Sequence, residues 1–154
     1  MPLHFAYGSN MSRALMRQHC PHARPLGTAV LDHHRFIVMA DGYASIVRHP
    51  GHEVHGVLWQ LTPRDVDALN AYESIDTGLY CRRVHPVRHA GGVASALVYI
   101  GRSSRPGRPR PGYLACVLAA AHDWDLPRSY TNALARWAAP GGAGPVRFAV
   151  VDGP

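Results

Sequence analysis

LHFAYGSN, residues 3–10, ends an alternating apolar run on a polar, glycine-containing turn, and the rest of the chain is best read outward from it. Leu3, Phe5 and Tyr7 alternate with His4 and Ala6, the period-two pattern of a short strand. MSRALMRQH, residues 11–19, follows with helical spacing, so the turn joins a strand to a helix. Gly8 opens backbone conformations closed to other residues and lets a ligand approach the main chain. Ser9 and Asn10 add side-chain donors and acceptors beside backbone N–H groups. Two readings stand at this point. The turn binds an anion or oxyanion through unpaired amides, or it is an ordinary strand-to-helix turn capped by Ser or Asn.

Beyond the turn, the chain alternates short apolar runs with turn residues. A helix is expected over Ser12 to His19, ending near Pro21. GTAVLDHHRFIVM (27–39) and YASIVRH (43–49) read as strands broken by an Asp41-Gly42 turn, and Gly51 begins another turn before the strand HGVLWQL (55–61). Thr62, Pro63 and Asp65 form a strong helix start. Tyr80 to Arg88 and Val93 to Ile100 make a hairpin around Gly91-Gly92. Helices are expected from Tyr113 to about Trp124 and from Pro127 through Trp137. GGAG at 141–144 marks a variable tail, about 138–154, in which PVRFAVV (145–151) can add a last strand. The connections are too short for crossover helices, so the sheet is largely antiparallel. The expectation is one α+β domain over residues 1–154, a curled or closed sheet with two or three helices against it.

Composition agrees with a folded domain. The 154 residues are 47% hydrophobic and 17% charged, and 15 Gly and 13 Pro are dispersed between apolar runs. No apolar run reaches the roughly 20 residues that span a bilayer, and no signal peptide is evident, so no membrane partner and a cytoplasmic location are expected. Cys20, Cys81 and Cys116 match no paired thiol motif and suit a reducing compartment. The net charge of +6 can attract anions. Its densest basic cluster, RSSRPGRPR from Arg102 to Arg110, lacks interleaved aromatics and reads as a solvated loop; no specific nucleic-acid partner is expected. The oligomeric state is left open.

Two glutamates are present. Glu53 sits in the polar stretch HPGHEVHG and is expected to be exposed. Val66, Leu69 and Glu73, spaced three and then four residues apart, fall on one helical stripe, which points Glu73 to the core or a cleft. Burial there raises a carboxyl pKa towards the range useful for acid–base work. The alternative is a helix already ended at Tyr72, with Glu73 in water. Tyr80 and Tyr113 are core or boundary residues, or they pin a polar substrate beside Glu73. His49, His52 and His55 cluster near Glu53 without a metal-binding motif and read as surface histidines. No serine nucleophile turn and no nucleotide-binding glycine pattern occur.

Taken together, FAYGSNM (5–11), HGVLWQL (55–61), LNAYESIDTGLYCRRVHPV (69–87) and PGYLACVLAAAHDWDLPRSY (111–130) resemble the γ-glutamylcyclotransferase, or AIG2-like, family in order and spacing. The resemblance covers roughly residues 3 to 137. It implies a small, largely antiparallel β-barrel flanked by helices, with the active-site cavity beside the YGSN turn. It implies Glu73 as the catalytic acid–base residue and Tyr7, Gly8, Ser9, Asn10, Tyr80 and Tyr113 as substrate contacts. The implied reaction cyclises a small-molecule γ-glutamyl amide to 5-oxoproline and releases an amine or amino acid, without metal or organic cofactor. A deacylating or acyl-transferring relative and a non-catalytic binding module are the alternatives on the same fold. Two features depart from many relatives: Ser74 follows Glu73 where they carry glycine, and several arginines occupy the late loop SRPGRPRPGY (104–113).

Overall fold

In the computed structural model, which describes residues 1–73 and 78–138, five strands close into a barrel. In chain order they are β1 (Leu3–Ala6), β2 (Arg24–Val38), β3 (Ala44–Gln60), β4 (Tyr80–His89) and β5 (Gly92–Gly101). Their spatial order is β1-β3-β2-β4-β5. Every pairing is antiparallel except the closing one, where β1 meets β5 in parallel through the single pair His4↔Leu97. Among the described residues four α-helices accompany the strands, one at each helical segment read from the sequence: α1 (Arg13–His19), α2 (Pro63–Tyr72), α3 (Tyr113–Asp123) and α4 (Arg128–Ala135). The expected tail strand at 145–151, the GGAG segment and Ser74 lie outside the described residues.

Local chemistry explains most boundaries. Ser12 caps α1 by accepting from the Leu15 N–H at 3.2 Å. Thr62 and Asp65 form a reciprocal capping box at the start of α2, with Pro63 in its first turn. Asp41-Gly42 reverses the chain between β2 and β3, and Gly42 takes φ 92°, a left-handed conformation that favours glycine.

One expected turn is not a chain reversal. β3 runs on through Gly51 to Gln60, so the two strands expected at 43–49 and 55–61 are one. The pairing register jumps from Asp32↔Glu53 to His34↔Arg48, which places residues 49–52 opposite His33 alone. Gly51 at φ 85° and His33 at φ 61° absorb the excess as a large bulge. Gly51 and His33 therefore bend the hairpin here without ending it.

The core fills with Phe5, Met11, Leu31, Ile37, Leu58 and Leu69, all buried. β1 crosses β3 closely at Gly56, where a Cβ would lie 2.2 Å from the Ala6 carbonyl oxygen and 3.0 Å from the Phe5 ring. That close approach delivers the chain at Tyr7 to the end of the barrel, where the turn begins.

Candidate active site

A cavity of about 370 Å³ opens where β1 leaves the barrel. Its walls come from the turn at 7–10, the starts of β3 and β4, the end of α2 and the first turn of α3. Six of the chain's seven tyrosines line it: Tyr7, Tyr43, Tyr72, Tyr80, Tyr99 and Tyr113.

Glu73 enters this cavity from the end of α2. The helix stops at Tyr72, as one sequence reading allowed, yet the carboxylate does not simply meet water. The Glu73 N–H closes the helix on the Leu69 carbonyl at 2.9 Å, and Asn10 Nδ2 donates to Glu73 Oε1 at 2.7 Å. The adjacent Tyr72 ring packs on His19 at a centroid distance of 3.9 Å, fixing the end of α2 against α1. Burial pushes the Glu73 carboxyl up to about 7, against the opposing pull of the Asn10 amide. A carboxyl group so poised takes up and releases protons near neutral pH.

The turn takes a defined shape. Gly8 precedes a 3-10 turn, Ser9–Met11, in which the Met11 N–H donates to the Gly8 carbonyl at 3.1 Å. The Ser9 and Asn10 N–H groups precede this first ring and have no partner within the turn, as at any helix start. A Cβ on Gly8 would stand 3.1 Å from the Tyr113 hydroxyl and 3.3 Å from the Ala44 Cβ, so glycine keeps this wall open. The turn is held against α3 by Trp124, whose Nε1–H donates to the Met11 carbonyl at 2.7 Å, with Arg13 stacked over its ring.

The tyrosines divide into pinned and available hydroxyls. Tyr7 donates to the Tyr99 carbonyl at 2.5 Å and Tyr80 to the Ala44 carbonyl at 2.6 Å, so both brace the cavity wall. Tyr99 donates to Asn70 Oδ1 at 2.5 Å. Tyr113 instead accepts from the Ala44 N–H at 3.2 Å, which leaves its own proton to donate. Burial pushes the Tyr113 hydroxyl up to about 12, against the Ala44 N–H and the Ser9 hydroxyl, and raises Tyr7 and Tyr80 well above their usual range. All remain neutral hydrogen-bonding groups at physiological pH.

The residues to which the family resemblance pointed, Tyr7, Gly8, Ser9, Asn10, Glu73, Tyr80 and Tyr113, all line this one cavity. Sequence reasoning missed Tyr43, Tyr72 and Tyr99. Tyr72 directly precedes Glu73, and that adjacency is the signal that was available. Glu53 is exposed in β3 and pairs with Arg88 at 3.0 Å and His55 at 3.2 Å, away from the cavity. The His49 and His52 rings touch, but among the described residues no group of three or more His, Cys, Asp or Glu is arranged to hold a metal ion.

Residues 4–126 match the family model described as gamma-glutamyl cyclotransferase, AIG2-like. Human gamma-glutamylcyclotransferase is 25% identical over 143 residues, covering 86% of this chain and 76% of its own length. The mouse gamma-glutamylcyclotransferase is 27% identical over the same span. A solved structure of a gamma-glutamyl cyclotransferase superposes with a TM-score of 0.80 at 24% identity, covering 86% of this chain and 85% of that one. YkqA from Bacillus subtilis shares the fold with a TM-score of 0.77 at 22% identity, over 89% of this chain and 54% of its own. The match runs from the strand before the YGSN turn past the end of α3, and on it the chain belongs to the gamma-glutamyl cyclotransferase, AIG2-like family of enzymes.

Proposed function

We propose that the protein folds a γ-glutamyl amide within this cavity and cyclises it to 5-oxoproline, releasing the attached amine or amino acid. The observation that carries the reading is Glu73, poised near neutrality and hydrogen-bonded to Asn10 of the YGSN turn inside one tyrosine-lined cavity. A γ-glutamyl substrate holds its own nucleophile, the α-amine, and its own electrophile, the γ-carbonyl. Glu73 as carboxylate takes a proton from the α-ammonium. The freed amine attacks the γ-carbonyl carbon, the C–N bond of the lactam forms, and the carbonyl oxygen becomes an oxyanion. Glu73 then returns its proton to the departing nitrogen as the oxyanion re-forms the carbonyl and the original amide bond breaks. It takes the surplus proton from the new lactam nitrogen, and that proton leaves with the released amine as its ammonium. One group so serves as base and acid in turn.

The remaining residues supply shape and polarity. The N–H groups of Ser9 and Asn10 and the Tyr113 hydroxyl are the donors for the substrate carboxylate or the oxyanion. Tyr7 and Tyr80, braced on backbone carbonyls, hold the wall against which the substrate bends. Because the reaction is intramolecular, confining the chain in a bent conformer lowers the barrier without an enzyme nucleophile. The reading assumes a reducing, cytoplasmic setting, in keeping with three unpaired cysteines. No helix among the described residues is long and apolar enough to cross a membrane.

The test is direct. The purified protein, incubated with γ-glutamyl dipeptides and γ-glutamylamines, is expected to form 5-oxoproline detectable by mass spectrometry. Glu73→Gln is expected to lower kcat by about 10²–10⁴-fold, the usual contribution of a general acid–base group, with the circular dichroism of the fold retained. Undiminished turnover in a folded Glu73→Gln protein refutes the assigned role. Binding without turnover in the parent protein marks a binding module instead.

A further inference from the structure

The first helix, α1, borders two separate spaces. Ser12 and Leu15 line the cavity beside Glu73, whereas Arg13, Met16 and Arg17 form a second stripe that ends at Cys20. That stripe faces the start of β2 and the end of β3 across a cleft of about 360 Å³, at the small end of the range for ligand pockets. Among the described residues none lines both the cleft and the cavity. The connection from α1 to β2 carries Pro21, and the sheet register sets Pro25 opposite Trp59; both prolines line the cleft. Proline has no N–H, so these walls offer ring surface and no backbone donor.

The floor holds a donor that the fold leaves unspent. Trp59, 3% exposed, meets Trp124 edge-on at 6.1 Å. The Trp124 Nε1–H donates to the Met11 carbonyl, but the buried Trp59 Nε1–H has no acceptor among the described residues. A buried indole N–H ordinarily finds one. The charges around it are uneven. Arg13 stacks over Trp124 and its Nε–H donates to Asp123 Oδ2 at 3.1 Å, which neutralises it. Arg17 is exposed on the rim and makes no ion pair among the described residues. Cys20 stays a neutral thiol, since it donates to the Asp65 carbonyl at 3.5 Å and burial pushes its pKa up to about 11. The Asp65 carboxylate accepts from the Thr62 N–H in its capping box and does not line the cleft. The lining therefore combines one uncompensated cation, one neutral donor and apolar walls.

We propose that this cleft is a second binding site, one for a monocarboxylate with a small apolar body. One carboxylate oxygen accepts from the Trp59 indole N–H and the other from the Arg17 guanidinium. The body lies against Met16, Pro21 and Pro25. The charge count sets the class, because a single uncompensated guanidinium matches a single carboxylate, and its planar donor pair suits that group. A phosphate dianion would bring a second charge that only the Arg13–Asp123 pair could meet. The site is independent of the cyclotransferase reading, which concerns the other face of α1.

The test is a titration of the isotopically labelled protein with sodium phenylacetate, followed by NMR on the assigned indole N–H signals of its three tryptophans. The Trp59 signal is expected to move downfield and to saturate with a millimolar dissociation constant, about what one charge-assisted contact and a small apolar body supply. Phenylacetamide, of the same size without the charge, is expected to bind about three- to tenfold more weakly, and acetate, without the ring, about tenfold more weakly. Arg17→Gln alters an exposed side chain and is expected to weaken phenylacetate about three- to fivefold while leaving phenylacetamide unchanged. Added salt narrows the gap between acid and amide. Equal affinity for acid and amide, or for the parent and Arg17→Gln, overturns the inference. Tighter binding of inorganic phosphate than of phenylacetate overturns the ligand class. A Trp59 signal that stays in place while the Ser9 and Asn10 amides shift puts the ligand in the other cavity and overturns the site. Formation of 5-oxoproline from γ-glutamyl substrates is measured separately, so each reading stands or falls on its own result.

Discussion

At the scale of single residues, the titration of Glu73 turns on the balance between burial and one hydrogen bond. Burial wins, and the carboxyl sits at about 7, but the Asn10 amide holds it below where the cavity alone would leave it. Asn10→Ala is therefore expected to move the rising limb of kcat/KM, which tracks the Glu73 carboxylate, to higher pH by about one unit. A hydrogen bond to a charged group is worth about 1.5–3 kcal/mol, of which water entering the gap restores part. A lower rate with the limb unmoved assigns Asn10 to substrate alone. The same raised pKa has a cost in stability. The folded carboxyl holds its proton up to about 7 where the unfolded one releases it near 4.5, so this group's contribution falls as pH rises between those values. Glu73→Gln is expected to match the parent below about pH 4.5 and to exceed it by about 2 kcal/mol above pH 7, allowing for partial exposure. Urea titrations at the two pH extremes check this, and a constant difference between the proteins rules it out.

At the scale of elements, α2 is the lever that carries Glu73, and it is short. Ten residues of helix have little stability of their own, so its capping box matters. Thr62→Ala removes the acceptor for the Asp65 N–H and is expected to cost about 1 kcal/mol, read as a lower urea midpoint at unchanged m. This start was fully legible, because Thr62, Pro63 and Asp65 each act through local chemistry. The helix end was less so. The stripe of Val66, Leu69 and Glu73 pointed the carboxyl inward, but the structure seats it as the residue closing the helix, fixed by Asn10 from 63 positions away. Gly51 failed for the converse reason. Its positive φ was foreseeable, but whether such a residue reverses a strand or bulges it depends on the partner strand opposite, here at His33. Tyr43 and Tyr99 were equally invisible as site residues, since closure of the barrel brings their strands together and no local pattern encodes it.

At the scale of the whole molecule, the cavity lies beside the weakest line of the barrel. β2 and β3 pair along most of their length, whereas β1 and β5 share one backbone pair, His4↔Leu97. Two β1-side side chains reinforce that seam: the His4 imidazole bonds the Leu97 carbonyl at 3.2 Å, and the Tyr7 hydroxyl donates to the Tyr99 carbonyl. Burial holds the His4 pKa down to about 4 from the usual 6.5, so the seam's histidine contributes stability near neutrality that is lost as pH falls from about 6.5 towards 4. Tyr7 thus does two things at once, bracing the closure and lining the cavity. Tyr7→Phe leaves the Tyr99 carbonyl without this donor and is expected to cost about 1–3 kcal/mol. The loss should be local before it is global: amide hydrogen exchange across 3–6 and around 97–99 should accelerate, with the β2–β3 hairpin unchanged. Activity should fall in step with that loosening, because the turn that holds Gly8, Ser9 and Asn10 hangs directly from β1. If β1 keeps its full protection in Tyr7→Phe while turnover collapses, the hydroxyl acts on the substrate alone, and the seam is closed by backbone pairing and packing without it.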